Sequence, residues 1–263
     1  MKEIGLINKS RKKLKRGIYI FPSLFTVGSM YCAFASIAAS VEGRLSLAAI
    51  YIGFSIILDG LDGRIARALN AHTEIGLQLD SLSDVVAFGV APAIMIYYWA
   101  FHPYYGGYYS KAGFLAAFLF LICSSLRLAK FNIISVKSDK KYFSGLPTPA
   151  SAGTLAALVH YYPMPLKASN ASLLAISLLI ILSYLMVSKI RYYSFKSIGL
   201  KKQKPYLSLI IIAAFIALIL TFSQIVLILI ALAYVISGIW LHLVEINRKH
   251  QTSITLVLPD KRN

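Results

Sequence analysis

The sequence predicts an all-α protein, a polytopic transmembrane helical bundle of about eight spans with both termini in the cytoplasm. Three observations predict it. Apolar runs of roughly membrane-crossing length, about 17–25 residues, recur along nearly the whole chain. Only 14% of the residues are charged, against about a quarter in an ordinary soluble domain. The basic residues stand in short loops and tails beside the apolar runs, where they control topology and attract anionic headgroups. The net charge of +17 is therefore a membrane signal, and its placement argues against a nucleic-acid partner.

In order, the expected spans run over 19–40, 45–69, 77–100, 112–134, 148–163, 170–188, 206–222 and 225–244. They form a single transmembrane domain over 19–244, with its core in 19–188, between a basic juxtamembrane segment (1–18) and a cytoplasmic tail (245–263). The first run follows basic residues but lacks a small-residue cleavage site, so it reads as a first membrane helix and not a removed signal peptide. In the juxtamembrane segment Ile4, Leu6, Ile7 and Leu14 are mixed with basic residues. Both a surface helix and a basic flank fit that pattern. The stretch "HPYYGGYYSK" reads as an interfacial turn bent at Gly106-Gly107, and the paired tyrosines there and at Tyr97-Tyr98, Tyr161-Tyr162 and Tyr192-Tyr193 resemble interfacial belts. Cys32 and Cys123 lie inside expected spans and read as buried free thiols.

With the N-terminus in the cytoplasm and spans alternating, every one of the 27 Lys and Arg residues except Arg44, Lys111 and Lys167 falls on the cytoplasmic side. The positive-inside rule selects this orientation. It also puts Asp59, Asp62, Asp80 and Asp84 together at the cytoplasmic ends of the second and third spans.

Those aspartates are the main chemical signal. A carboxylate inside a membrane helix costs about 2.5–3.5 kcal/mol even on the lenient insertion scale, and neighbouring carboxylates repel one another. A divalent cation is the natural compensator. Asp59 and Asp62 are spaced i,i+3, and Asp80 and Asp84 i,i+4, so each pair shares a helix face. A turn around "LNAHTE" makes the two helices antiparallel neighbours, and the four carboxylates can converge. All-oxygen ligation without Cys or His suits Mg2+ or Mn2+, and four carboxylates accommodate two ions. Gly60, Gly63 and Gly76 leave room for close approach, while Arg64 and Arg67 add positive charge, Arg67 being the better phosphate candidate. An ion-permeation or proton-relay cluster in a divalent-cation transporter would also use intramembrane carboxylates.

The pattern "DGLDGRIAR…G…D…D" resembles the signature of the CDP-alcohol phosphotransferase family, D-x2-D-G-x2-A-R-x8-G-x3-D-x3-D. Asp59, Asp62, Gly63, Ala66, Arg67, Gly76, Asp80 and Asp84 match every fixed position. The resemblance implies an enzyme that takes a CDP-linked lipid, displaces CMP and joins the phosphatidyl group to an alcohol. It implies that Asp59, Asp62 and Asp80 ligate metal, and that Asp84 shares in ligation and is the general base. It also implies a homodimer.

Within the family, "IFPSLFTVGSMYCAF", "DSLSDVVAFGVAPA", "RLAKFN" and "FSGLPTPASAG" are similar to bacterial-type (class II) phosphatidylserine synthases. Pro22 and Thr26 match that subfamily's nucleotide-holding pattern, with Ser23 in place of an Asn. The expected substrates are then CDP-diacylglycerol and L-serine. Serine carries a carboxylate that needs a fixed cation. Arg127 can clamp it, with Lys130 one turn further on and Asn132 as a polar contact. Lys130 stands where the subfamily usually has Arg. Glycerol 3-phosphate or inositol phosphate are the alternative acceptors, and their phosphates would call for more cations.

Overall fold

The computed structural model describes residues 23–69, 74–102, 108–134, 142–166, 169–193, 218 and 221–257. Six helices among them are long and apolar enough to cross a membrane, and the chain is an integral membrane protein. In lipid, helices satisfy every backbone donor and acceptor within their own segment. Helix α1 (Ser23–Val41) turns through an exposed ion pair between Arg44 and Glu42 into α2 (Leu45–Leu69). Helix α3 (Glu74–Val85), a π-helical turn (Val86–Val90) and α4 (Ala91–Ala100) make one continuous apolar span. Helix α5 (Tyr108–Ile134) follows. The span expected over 206–222 and the N-terminal segment fall outside the described residues, apart from positions 218, 221 and 222.

The fifth expected span differs. Helix α6 (Thr148–Tyr161) has 14 residues, about 21 Å at 1.5 Å per residue, short of the roughly 30 Å hydrocarbon layer. Its side chains explain its place. Thr148, Ser151, Ala152, Thr154, Ala156 and Ala157 are buried, so it runs through the middle of the bundle against α2 and the last helix and presents little surface to lipid. Helix α7 (Ser169–Val187) packs mainly on α5. The last helix, α8 (Ser223–Val257), continues well past the expected end at 244, because 239–257 contains neither Gly nor Pro to stop it.

Small polar residues hold α1 to α2. Ser29 Oγ and Ser55 Oγ are 2.7 Å apart, and Ser36 Oγ donates to the Ala48 carbonyl at 2.9 Å. Such contacts, with small residues that let backbones approach, are how membrane helices associate without a hydrophobic driving force between them. Cys32 and Cys123 are free and half-buried.

One element escaped the helical pattern. Strands β1 (Tyr142–Ser144) and β2 (Arg191–Tyr193) pair antiparallel, with Phe143 opposite Tyr192. Gly145 follows β1 at φ +80, and a Cβ there would lie 2.3 Å from the Met186 carbonyl oxygen, so only glycine fits this close, left-handed turn. Gly145 N–H donates to Ile190 O at 2.8 Å and Leu146 N–H to Leu185 O at 3.0 Å. The chain then enters α6 through Pro147. Tyr192, expected at headgroup depth, is instead fully buried. Its ring lies against α8 where Gly238 has no side chain; a Cβ on Gly238 would come within 2.1 Å of it.

Candidate active site

The acidic motif spans the end of α2 and the whole of α3. Gly60 and Gly63, beside Asp59 and Asp62, are exposed, and a Cβ on either would meet nothing within 4 Å. The helix surface there is open to a ligand. Helix α3 starts with Glu74 in its first turn, where the helix dipole favours an anion, and carries Gly76, Asp80 and Asp84. Directly after Asp84 the π-helical turn inserts one residue into the helical phase. It separates the acidic face of α3 from the core face of α4, on which Ala91, Met95 and Ile96 are buried. Helix α5 approaches closely here, for a Cβ on Gly89 would meet Leu121 Cδ1 at 2.9 Å and Ser124 Oγ at 3.4 Å.

Asp59, Asp80 and Asp84 converge. Each is half-buried and offers one carboxylate oxygen, and the three oxygens lie within 4.8 Å of one another. Asp62 lies outside that set, although it shares a helix face with Asp59. It is buried and accepts a hydrogen bond from Thr26 Oγ1 of α1. Ser83 Oγ in turn donates to the Thr26 carbonyl at 3.2 Å. Thr26 therefore ties α1, α2 and α3 together behind the acidic cluster.

On α5, Arg127 Nη1 donates to Thr148 Oγ1 at the start of α6, at 3.4 Å. Its guanidinium is within electrostatic reach of Asp84 and of Tyr234 on α8. Arg127 Nε is buried with no hydrogen-bond partner among the described residues. Lys130 and Asn132 are exposed, and Asn132 Nδ2 donates to Ser81 Oγ of α3 at 3.0 Å. Ala66 and Arg67 lie in the last turns of α2, and their side chains are outside the described residues, as is Pro22. Sequence reasoning did not single out Ser83, Thr148 or Tyr234. Only Thr148 carried a signal, in the Pro-Thr-Pro turn.

This cluster is three oxygen donors from two helices beside an open helix surface, a donor set that suits a hard divalent cation. The model of the CDP-alcohol phosphatidyltransferase family matches residues 19–244. The chain belongs to that family. It is an enzyme of the phosphatidyltransferase type. A CDP-diacylglycerol–serine O-phosphatidyltransferase of Helicobacter pylori is 38% identical over 185 residues, 69% of this chain and 75% of that protein. One of Bacillus subtilis is 37% identical over 177 residues, 66% of this chain and 90% of its own length. One of Methanocaldococcus jannaschii is 38% identical over 147 residues, 56% of this chain and 63% of its own.

Proposed function

We propose that this enzyme transfers the phosphatidyl group of CDP-diacylglycerol to L-serine and releases CMP, at a site facing the cytoplasm of the cell membrane. The observation that carries the proposal is the meeting of two chemistries across α3 and α5. The Asp59–Asp80–Asp84 cluster stands within reach of a cation, Arg127, whose buried Nε has no hydrogen-bond partner among the described residues. A buried unpaired donor is costly, and an acceptor's carboxylate would satisfy it. The names of the relatives support serine as that acceptor.

The acidic set of Asp59, Asp62, Asp80 and Asp84 would hold two Mg2+ or Mn2+ ions. When bound, these would neutralise pyrophosphate charge and stabilise the charge that develops on the departing CMP. We assign Pro22, Thr26, Gly63, Ala66, Arg67 and Gly76 to binding the nucleotide lipid, whose acyl tails would remain in the bilayer. Gly60 and Gly63 leave the surface of α2 free for close approach. Arg127 holds the serine carboxylate with its planar fork, and Lys130 and Asn132 line the rim. Asp84 takes the hydroxyl proton. The serine oxygen bonds to the phosphorus that bears diacylglycerol, and the bond from that phosphorus to the oxygen of CMP breaks. This direct route needs no separate protein nucleophile. The enzyme would work as a homodimer.

The test is an assay of purified full-length protein with CDP-diacylglycerol, Mg2+ or Mn2+, and each labelled alcohol in turn. Serine-dependent CMP release with labelled phosphatidylserine is the expected result. Turnover with glycerol 3-phosphate or inositol phosphate and none with serine would overturn the acceptor assignment.

A further inference from the structure

The end of the bundle away from the carboxylates, where α2 begins, α4 stops and α5 begins, carries a cation of its own. Lys111 is exposed in the first turn of α5, roughly 24 Å along the helix from Arg127 at about 1.5 Å per residue. Among the described residues Glu42 is the only acid at this end, and it pairs with Arg44. No carboxylate among them pairs with Lys111. The basic residues gather at the other end of the spans, so topology control does not account for a lysine here.

The surroundings of Lys111 form a groove. Phe101, just past α4, presses its ring on Gly113 of α5, where a Cβ would lie 2.1 Å from it. That close docking brings Tyr97 over the first turn of α5, and its hydroxyl lies 3.2 Å from Ser110 Oγ. Tyr98 and Phe114 hold the Tyr97 ring edge-on, at 6.0 and 6.2 Å between centroids. Tyr97, Ser110, Lys111, Phe114 and Leu115 line an open groove of about 420 Å3. From it Phe114, Leu115, Phe118, Leu119 and Ile122 run down one exposed face of α5, whereas Ala116, Ala117 and Phe120 on the other face are buried.

We propose that this groove binds the headgroup phosphate of an anionic phospholipid, whose acyl chain lies along that exposed stripe of α5. Lys111 supplies a point charge. The two hydroxyls carry two protons: one joins Tyr97 to Ser110, and the other is left to donate to a phosphate oxygen. A basic, hydroxyl-bearing rim directly above an apolar stripe matches an amphiphile, since a free ion has nothing to lay on the stripe. A headgroup with its own ammonium would set like charge beside Lys111, so a glycerol headgroup fits better than choline.

The test uses full-length protein carrying Phe118→p-benzoylphenylalanine, a photo-crosslinker on the stripe, in nanodiscs of equal parts phosphatidylglycerol and phosphatidylcholine. Mass spectrometry of the adducts reads which lipid stands there. With Lys111 in place, phosphatidylglycerol adducts should predominate. Lys111→Gln should lower the ratio of phosphatidylglycerol to phosphatidylcholine adducts roughly tenfold, the weight of one hydrogen bond to a charged group. Lys111→Arg should keep the ratio, because the charge survives. Tyr97→Phe should lower it about threefold, the size of a lesser polar contact. Excess inorganic phosphate should leave the adducts unchanged. No preference with Lys111 in place, an unchanged ratio in Lys111→Gln, its loss in Lys111→Arg, or displacement by inorganic phosphate would overturn the proposal. If Tyr97→Phe fails to fold, Ser110→Ala removes the other hydroxyl of the pair and is read for the same ratio; no change there would strike the hydroxyls from the site.

Discussion

Two ends of one site are built in different ways. On one side, α2 and α3 bring Asp59, Asp80 and Asp84 together from a segment of 26 positions, across one turn. On the other side, Arg127 of α5 donates to Thr148 of α6 and lies within electrostatic reach of Tyr234 on α8, three helices spread over more than a hundred positions. The first end is a local device: helical spacing sets each face, and a short connection makes the helices neighbours. The second depends on the order in which α6 and α8 pack, and on a two-stranded sheet whose strands are separated by two helices. The comparison teaches that the carboxylate half of the site can be written into a short motif, whereas the half proposed to hold the acceptor is assembled by the whole bundle.

Four perturbations set the two ends apart. Chelation with EDTA should have the largest effect, taking turnover to background and leaving it recoverable with Mg2+ or Mn2+. A rise in melting temperature on adding Mn2+, by preferential binding to the folded state, should vanish in Asp59→Asn/Asp80→Asn protein. Persistent turnover after exhaustive chelation would break the cation reading. Next, Asp84→Asn should lower kcat roughly a hundred- to ten-thousandfold, the range of general-base catalysis; near-normal turnover would remove Asp84 from that role. Third, Arg127→Lys should raise KM for serine about tenfold or more, because a point charge cannot replace a charged planar fork, while CDP-diacylglycerol KM stays put. Equal change in both would mean that the two ends are not separable. The smallest effect on chemistry should come from Gly238→Ala, whose Cβ would be driven onto the rigid ring of Tyr192 at 2.1 Å. Overpacking of this kind costs about 1–3 kcal/mol and should appear as a lower melting temperature, with the Mn2+-dependent rise retained. A melting temperature equal to wild type would show that α8 yields at this contact.

Much of the bundle was legible in advance. Hydropathy located the helices that begin at 23, 45, 74, 108, 169 and 223, since each presents an apolar surface long enough for a bilayer. The expected fifth span corresponds to the shorter α6, whose Ala, Ser, Thr and Gly residues let α2 and α8 approach. The hairpin was illegible because three-residue strands have no period of their own, and their register is set by Gly145 and the burial of Tyr192. In the site, spacing put Asp59, Asp80 and Asp84 on faces that can meet, and their carboxylates converge in the structure. Helical geometry put Asp62 on the same face as Asp59 but did not reveal that Thr26 of α1 would claim its carboxylate. Asn132 was expected at the acceptor, and its present partner, Ser81, belongs to α3.

The sequence by itself determined that this chain lives in a membrane and that two adjacent helices carry a cluster of carboxylates, because both follow from short-range periodicity and from the cost of charge in hydrocarbon. Which of those carboxylates meet, and what grips Arg127, was decided by tertiary structure alone. Contacts between distant helices depend on side-chain volume and on hydrogen bonds made across the bundle, and no local pattern of residues encodes them.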